Sequence, residues 1–315
     1  MLPQILTKVK ASGVDYLIHR TINRGDAETY VCETMKQTAG KGDAAPPALR
    51  FYAVGGDGTL NEVVNGVMRG RAAIQQQRDD SGPAIPPAAL SDISIPVEVA
   101  FVPTGTGNDF PRNFGPAKYF LDIGRQINGR LVTVDLIRYN DRYLINMLNI
   151  GLDCAVVAEA GRLKKKPFIS GTMAYIAGIV KVLGANRGFR ATVEWPDGEE
   201  ITREFTLIAA ANGKYCGGGF KGLPLANCAD GLMDINLVEK IKRRTFVAFV
   251  RQYHAGKHLD QPKLRRYFDY RQVKSVIIRA GEPLQICADG EIAYESLLNI
   301  EICPQVLSFV LPEGC

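Results

Sequence analysis

Apolar positions divide the chain into two textures. Leu60, Val63, Val64, Val67 and Met68 recur at i, i+3, i+4, i+7 and i+8, which is one apolar face of a helix over residues 60–69. Thr59 and Glu62 stand at capping-box spacing at its start, and Gly70 suits its end. Residues 2–10 and 26–37 also read as helix, and 14–20 as strand. The apolar runs 50–54 and 97–102 each stop at a glycine-rich turn, which suits buried parallel strands. Residues 71–95 turn polar and then rich in proline and alanine, predicting a surface loop, and a helix over roughly 117–127 closes this part.

From about residue 131 short β-rich runs take over: 131–139, 142–150, 190–195, 201–211, 232–238, 273–279, 284–288 and 298–303. Asn140-Asp141 and Pro196-Asp197-Gly198 are turn signals between them. Helical interruptions fall near 171–184 and 244–257. Alternating helix and strand followed by many short strands predicts an α/β domain and then an antiparallel sandwich or barrel-like sheet.

Composition narrows this little. A chain of 315 residues with 46% hydrophobic and 23% charged residues can bury two ordinary globular cores. The net charge of +5 is compatible with an anionic ligand or membrane surface and decides neither. Seven cysteines at irregular spacing, with no CxxC pair, argue for reduced, inert thiols and against a zinc site. The N-terminal residues read as an amphipathic helix and not as a leader. The most apolar stretch, Gly171 to Gly184, carries Lys181 and falls short of the roughly 20 residues that span a bilayer. The expectation is a cytoplasmic protein whose membrane contact is peripheral.

Two motifs carry chemistry. Gly55-Gly56-Asp57-Gly58-Thr59 sits where a strand meets a helix. Glycines there let the backbone approach a ligand and take positive φ, and the helix start offers free amides and positive dipole to a phosphate. Asp57 beside phosphates implies a bridging cation, with Mg²⁺ the natural one. A tight turn with a capping aspartate is the structural alternative. Pro103-Thr104-Gly105-Thr106-Gly107-Asn108-Asp109-Phe110 follows the next buried strand, so both turns should share one sheet edge, where α/β folds bind ligands. Thr104, Thr106 and Asn108 can donate to phosphate oxygens. No GxxxxGK[ST], HRD or DFG is present, which excludes a P-loop enzyme and a protein kinase. His254 and His258, four apart on an expected helix, lack an HExxH glutamate and read as a partly exposed structural pair. The basic runs Lys164 to Lys166, Lys240 to Arg244 and Lys263 with Arg265 and Arg266 read first as solvated faces and second as an anionic-lipid docking surface.

GGDGTLNEVVNG followed by PTGTGNDF resembles the catalytic domain of diacylglycerol kinases, sphingosine kinases and bacterial lipid kinases. NAD kinases and phosphofructokinases are more distant relatives, and TGTGNDF is the lipid-kinase form. Asn149 to Asp153, Ala229 to Asp234 and Ala288 to Glu291 resemble later segments of the family, so the likeness runs from about residue 10 to the end. It implies an N-terminal Rossmann-like domain of NAD kinase/phosphofructokinase type (1–130) and a C-terminal antiparallel β-sandwich (131–315), whose last strand or helix is free to return to the first domain. It implies ATP in the cleft between them. Gly55, Gly56, Gly58 and Thr59 would hold phosphates, Asp57 the nucleotide magnesium, and Thr104, Gly105, Thr106 and Asn108 the facing loop. Glu291 would be the general base. Asp230, with carbonyls near Asn227 and Leu232, resembles a structural magnesium site that Asp109 joins through water. Taken without the resemblance, Asp289-Gly290 reads as a plain hairpin turn.

Family members begin with a strand ending in an Asn-Pro turn and then Gly. The first residues here read as the helix after it, so either the start was chosen too late or that wall of the site is missing. The resulting expectation is an ATP- and Mg²⁺-dependent lipid kinase, with diacylglycerol the leading acceptor and phosphatidic acid the product. No nucleic-acid partner is expected, and a homodimer is left open. The alternatives are a soluble NAD-type kinase and an inactive lipid- or nucleotide-binding module.

Overall fold

The computed structural model describes residues 2–39, 48–78, 95–151, 188–242, 245 and 251–315. The chain forms two compact units, Met1–Val134 with Gln305–Cys315, and Asp135–Pro304.

In the N-terminal unit, helices α1 (Leu2–Ser12) and α2 (Asp26–Ala39) precede strand β1 (Leu49–Gly55). Helix α3 (Asp57–Arg78), strand β2 (Val97–Pro103), a 3-10 turn at Phe110–Asn113 and short helices α4 (Ala117–Phe120) and α5 (Ile123–Ile127) follow. β1 and β2 are parallel from Leu49↔Val97 to Gly55↔Pro103. The periodic face of α3 is buried with Val99, Phe101 and Val102, as an amphipathic helix against a parallel sheet requires. Gly66 and Gly70 are where α2 crosses α3: a Cβ at Gly66 would lie 2.6 Å from the Glu28 carbonyl, and one at Gly70 2.7 Å from Met35 Sδ. The chain end returns through strand β11 (Glu291–Leu311), whose Ser308 and Phe309 pair in parallel with β2.

The other unit is antiparallel. Its strands are the end of β3 (Arg130–Tyr139), β4 (Arg142–Leu144), β5 (Met147–Gly151), β6 (Phe189–Glu194), β7 (Glu200–Ala211), β8 (Met233–Glu239), β9 (Phe268–Val273), β10 (Ser275–Ala288) and most of β11. A short helix α6 (Pro262–Arg265) precedes β9. β10 pairs with β11, β5 and β6; β7 pairs with β5, β6 and β8; and β8 pairs with β9. β5 and β6 thus run in line between the same two neighbours. Gly151 (φ 90) ends β5 and Gly188 (φ 72) precedes β6. One face buries Leu148, Ile150, Val193, Ile235, Leu237, Ile278 and Ile286, and the opposite face buries Met147, Leu207, Ala209, Phe220 and Phe268.

Several local expectations need correction. Residues 14–20 are exposed and form no regular element, with no strand partner among the described residues: an apolar run supplies side chains for a strand but not the neighbour whose N–H and C=O groups complete it. Helix α3 starts at Asp57 and passes through Gly70 to Arg78, so Thr59 lies inside its first turn and 71–78 is helix, not loop. Glu62 accepts from the Gly25 and Ala27 amides (2.9 and 3.2 Å), capping the start of α2 instead of its own helix. The helix expected over 117–127 breaks into two at Leu121-Asp122, where Asp122 accepts from the Gly124 amide. Residues 142–150 divide at Ile145-Asn146, Val273 ends β9, and 275–279 joins 284–288 in one bulged strand. His258 is fully buried and His254 exposed, because helix ends at His254. The insertion 79–94 and the helix expected at 171–184 lie outside the described residues, as do 244 and 246–250 of the helix expected at 244–257, whose described part is helix over 251–254.

Candidate functional site

The two glycine-rich turns meet at one sheet edge. The Gly55 carbonyl accepts from the Thr104 and Gly105 amides (2.8 and 3.1 Å), continuing the β1–β2 register beyond the strands. The backbones then touch: a Cβ on Gly105 would lie 2.5 Å from the Gly56 Cα, and one on Gly107 would lie 2.6 Å from Asp57 Oδ2. A Cβ on Gly55 would collide with Thr59 Oγ1 at 2.3 Å. Close approach is therefore what these glycines provide. None of Gly55, Gly56 and Gly58 has positive φ, contrary to that part of the sequence reading. Gly58 differs: a Cβ there meets nothing within 4 Å. It sits in the first turn of α3, whose Leu60 amide bonds back to the Gly56 carbonyl, so the amides of 58 and 59 have no main-chain acceptor within the helix, while that of Asp57 bonds its own carboxylate.

Asp57 ties the turns together. Its Oδ2 accepts from the Asn108 amide (2.7 Å) and Oδ1 from the Asp109 amide (3.0 Å). Burial pushes the carboxyl above its usual range, against the pull of those amides. Asn108, at φ 53, turns its side-chain amide inward to the Gly105 carbonyl (2.7 Å), so that donor holds the loop. Asp109 is buried with the Arg112 guanidinium 3.5 Å away. Phe110 anchors the motif in the core, edge-on to Phe309 at 5.2 Å. Thr104 and Thr106 are exposed on the outer side of the loop.

In the other unit, Asn227, Asp230 and Leu232 lie in one exposed turn. Asp230 Oδ1 accepts from the Leu232 amide (3.0 Å) and Gly231 takes φ 72. The fully buried Asp135 clamps this turn from below: its Oδ2 accepts from the Gly231 amide (2.8 Å) and its own amide donates to the Cys228 carbonyl (2.7 Å). Glu291 opens β11 beyond a two-residue turn in which Asp289 (φ 45) and Gly290 (φ 89) both take positive φ, as a tight hairpin of this type needs. Burial raises the phenol of Tyr139, Arg142 lowers it, and Glu291, Glu295 and Asp289 raise it, so charges of both signs surround that ring.

A model of the diacylglycerol kinase catalytic domain matches residues 1–139, and one of the YegS C-terminal NAD kinase beta sandwich-like domain matches residues 146–311. The chain belongs to the diacylglycerol kinase family of lipid kinases. Among curated relatives it is 29% identical to the "Probable lipid kinase YegS-like" of Shewanella frigidimarina over 84% of this chain and 77% of that one. It is 27% identical to the diacylglycerol kinase of Staphylococcus saprophyticus over 92% and 83%. The crystal structure of a diacylglycerol kinase from Bacillus anthracis superposes with a TM-score of 0.67 at 21% identity, covering 99% of this chain and 91% of that one, a likeness of fold. The lipid kinase therefore pairs an α/β catalytic domain with a β-sandwich-like domain, as its texture implied.

Membership of a kinase family implies ATP as phosphoryl donor, and the residues fit that substrate. Gly58 and the first-turn amides of α3 leave backbone open to an anion, which is what a phosphate needs. For Mg²⁺ the Asp230 turn offers one exposed carboxylate, whose Oδ1 already has an amide, and nearby carbonyls; hard oxygen ligands of this kind suit it. Among the described residues no three His, Cys, Asp or Glu gather as a metal cluster, and no helix is long and apolar enough to cross a membrane. The sequence reading missed the buried polar residues Asp135, Asn146 and Asn212 of the second unit. Asn and Asp are common in turns, and nothing in their spacing marks them as buried.

Proposed function

We propose that this lipid kinase transfers the terminal phosphate of ATP to the hydroxyl of diacylglycerol, giving phosphatidic acid, with Mg²⁺ as the bound cation. One observation carries the nucleotide half of this reading: two glycine turns in backbone contact, tied by Asp57, beside a helix start that is open at Gly58. Phosphoryl transfer asks the protein mainly for positioning and charge stabilisation, and rigid main-chain amides supply both. In this reading Gly55, Gly56, Gly58, Thr59, Thr104, Gly105 and Thr106 shape the phosphate site. Asn108 keeps its loop in shape. Bound Mg²⁺ would neutralise developing phosphate charge, held near Asp57, while Asp230 and the carbonyls of Asn227 and Leu232 would hold a structural ion. Glu291 takes the proton from the attacking hydroxyl. The enzyme works in the cytoplasm and touches the bilayer peripherally when it collects its substrate.

The test is phosphate transfer from radiolabelled ATP to a panel of lipids in mixed micelles, with and without Mg²⁺, beside NAD as a soluble acceptor. Labelled phosphatidic acid formed only with Mg²⁺ is expected. Label on another lipid corrects the acceptor, label on NAD alone rejects the lipid, and Mg-ATP binding without transfer to any acceptor marks an inactive module.

A further inference from the structure

The Glu291 hairpin is fastened by one carboxylate that the mechanism above does not use. Asp289 is buried, and its oxygens accept from three consecutive amides: Ile145 (2.8 Å), Asn146 (3.2 Å) and Met147 (2.8 Å). Its own amide donates to the Met147 carbonyl (3.0 Å). An ordinary Asp-Gly hairpin uses its aspartate because that residue tolerates positive φ, and leaves the side chain in water. Here the carboxylate has been taken out of water, which is costly unless its lone pairs are filled, and the β4–β5 connection fills them.

The anchor point is itself rigid. The Asn146 carbonyl accepts from the Asn212 and Gly213 amides (2.8 and 3.2 Å). Asn146 Nδ2 donates to the Tyr215 carbonyl (2.9 Å), and Asn212 Nδ2 donates to the carbonyls of Ile145 (2.9 Å) and Asp135 (2.7 Å). Asp135 holds the Asp230 turn, so one buried network reaches from the tip before Glu291 to that turn.

We infer that Asp289 is a positioning residue for Glu291. Its carboxylate fixes the hairpin tip two residues before the base, and so fixes where the base begins. This rests on Glu291 being the base proposed above.

Asp289→Asn tests it. Asparagine tolerates the same positive φ and has the same shape, but it offers one acceptor oxygen and turns an NH₂ toward amide donors. Lipid phosphorylation is expected to fall about 10- to 100-fold in kcat, since a displacement near 1 Å can cost about that much, while KM for ATP stays within about twofold. In a Glu291→Gln background, Asp289→Asn should lower the residual rate less than about twofold, because no base is left to displace. Equal losses in both backgrounds would assign Asp289 to general stability and overturn the inference. Full kcat in Asp289→Asn, with Glu291→Gln strongly impaired, would overturn it and leave the base standing. An unaffected Glu291→Gln enzyme would remove the base and this inference together. Asp289→Gly is the second variant: it keeps the turn unstrained and removes the anchor, and its kcat, scored per Mg-ATP-binding site by calorimetry, should fall likewise. If neither variant folds to bind Mg-ATP, the anchor serves the fold and the inference fails.

Discussion

The two glycine turns of the N-terminal unit and the buried polar network of the other unit solve one problem in opposite ways. Each holds irregular backbone in a fixed shape near chemistry. The turns do it by leaving side chains out: Gly105 lies against Gly56, and any Cβ there would strike backbone. The network does it by putting side chains in. Asp289, Asn146, Asn212 and Asp135 fill main-chain donors and acceptors that no strand satisfies. In the proposed mechanism the first solution would present bare amides to an anion, and the second would present a preorganised side chain and hide everything that holds it. Rigidity by omission is read from sequence as a glycine motif, whereas rigidity by insertion leaves no pattern.

The contrast can be broken at its strongest point first. Glu291→Gln should lower kcat about 10²–10⁴-fold, the usual worth of a general base, with Mg-ATP still binding by calorimetry. A loss of nucleotide binding instead would mean that the division of labour between the units is wrong.

A second test uses two buried titratable groups of the antiparallel unit. Asp234, bonded by the Tyr270 hydroxyl at 2.6 Å, is pushed by burial up to about 6 from 3.8. The folded state therefore holds its proton where the unfolded state has lost it, and stability falls as pH rises from about 4 to 6. His258, between the rings of Tyr253 and Phe268, is pushed by burial down to about 4 from 6.5. It stays neutral in the fold where the unfolded chain takes a proton, so stability rises with pH over about 4 to 6.5. Each effect is worth roughly 3 kcal/mol at full extent, and the two nearly cancel. Thermal unfolding between pH 4 and 6.5 should tilt upward with pH in Asp234→Asn and downward in His258→Gln, each relative to wild type. Parallel curves for all three proteins would show that neither group titrates as its burial demands.

Gly105→Ala forces a methyl group against the Gly56 backbone, and such overpacking typically costs about 1–3 kcal/mol. The melting temperature should drop and KM for ATP rise about tenfold as the turns part. Wild-type kinetics would show that the contact is unnecessary for the nucleotide. Gly58→Ala sharpens the point at the smallest scale. Open space and a helical position mean that alanine should stabilise the fold by about 0.5–1 kcal/mol. KM for ATP should nonetheless rise several-fold if phosphate lies over that Cα. Increased stability with unchanged KM would remove Gly58 from the phosphate site.

Much of the architecture was legible in the residues. The α3 face, the parallel β1 and β2 and the turns at Asn140-Asp141 and Asp197-Gly198 all follow from local period and turn chemistry. The exceptions have one cause. Glu62 stood at capping-box spacing for its own helix, yet it caps α2 across a gap of 35 residues. Residues 14–20 carried a strand's side chains and found no neighbour. Gly70 looked like a helix end and is a packing notch for Met35. In each case the local signal was real and a distant partner, or its lack, decided its use.

By itself the sequence determined the two textures, the lipid-kinase family and the glycine positions, because backbone approach, helix period and turn geometry are set by near neighbours. The tertiary structure decided that both turns touch, that Asp57 bonds the opposite loop and that Asp289 is buried against residues 145–147. Those facts depend on which segments meet after folding, and a carboxylate's worth changes entirely with whether water or three amides surround it.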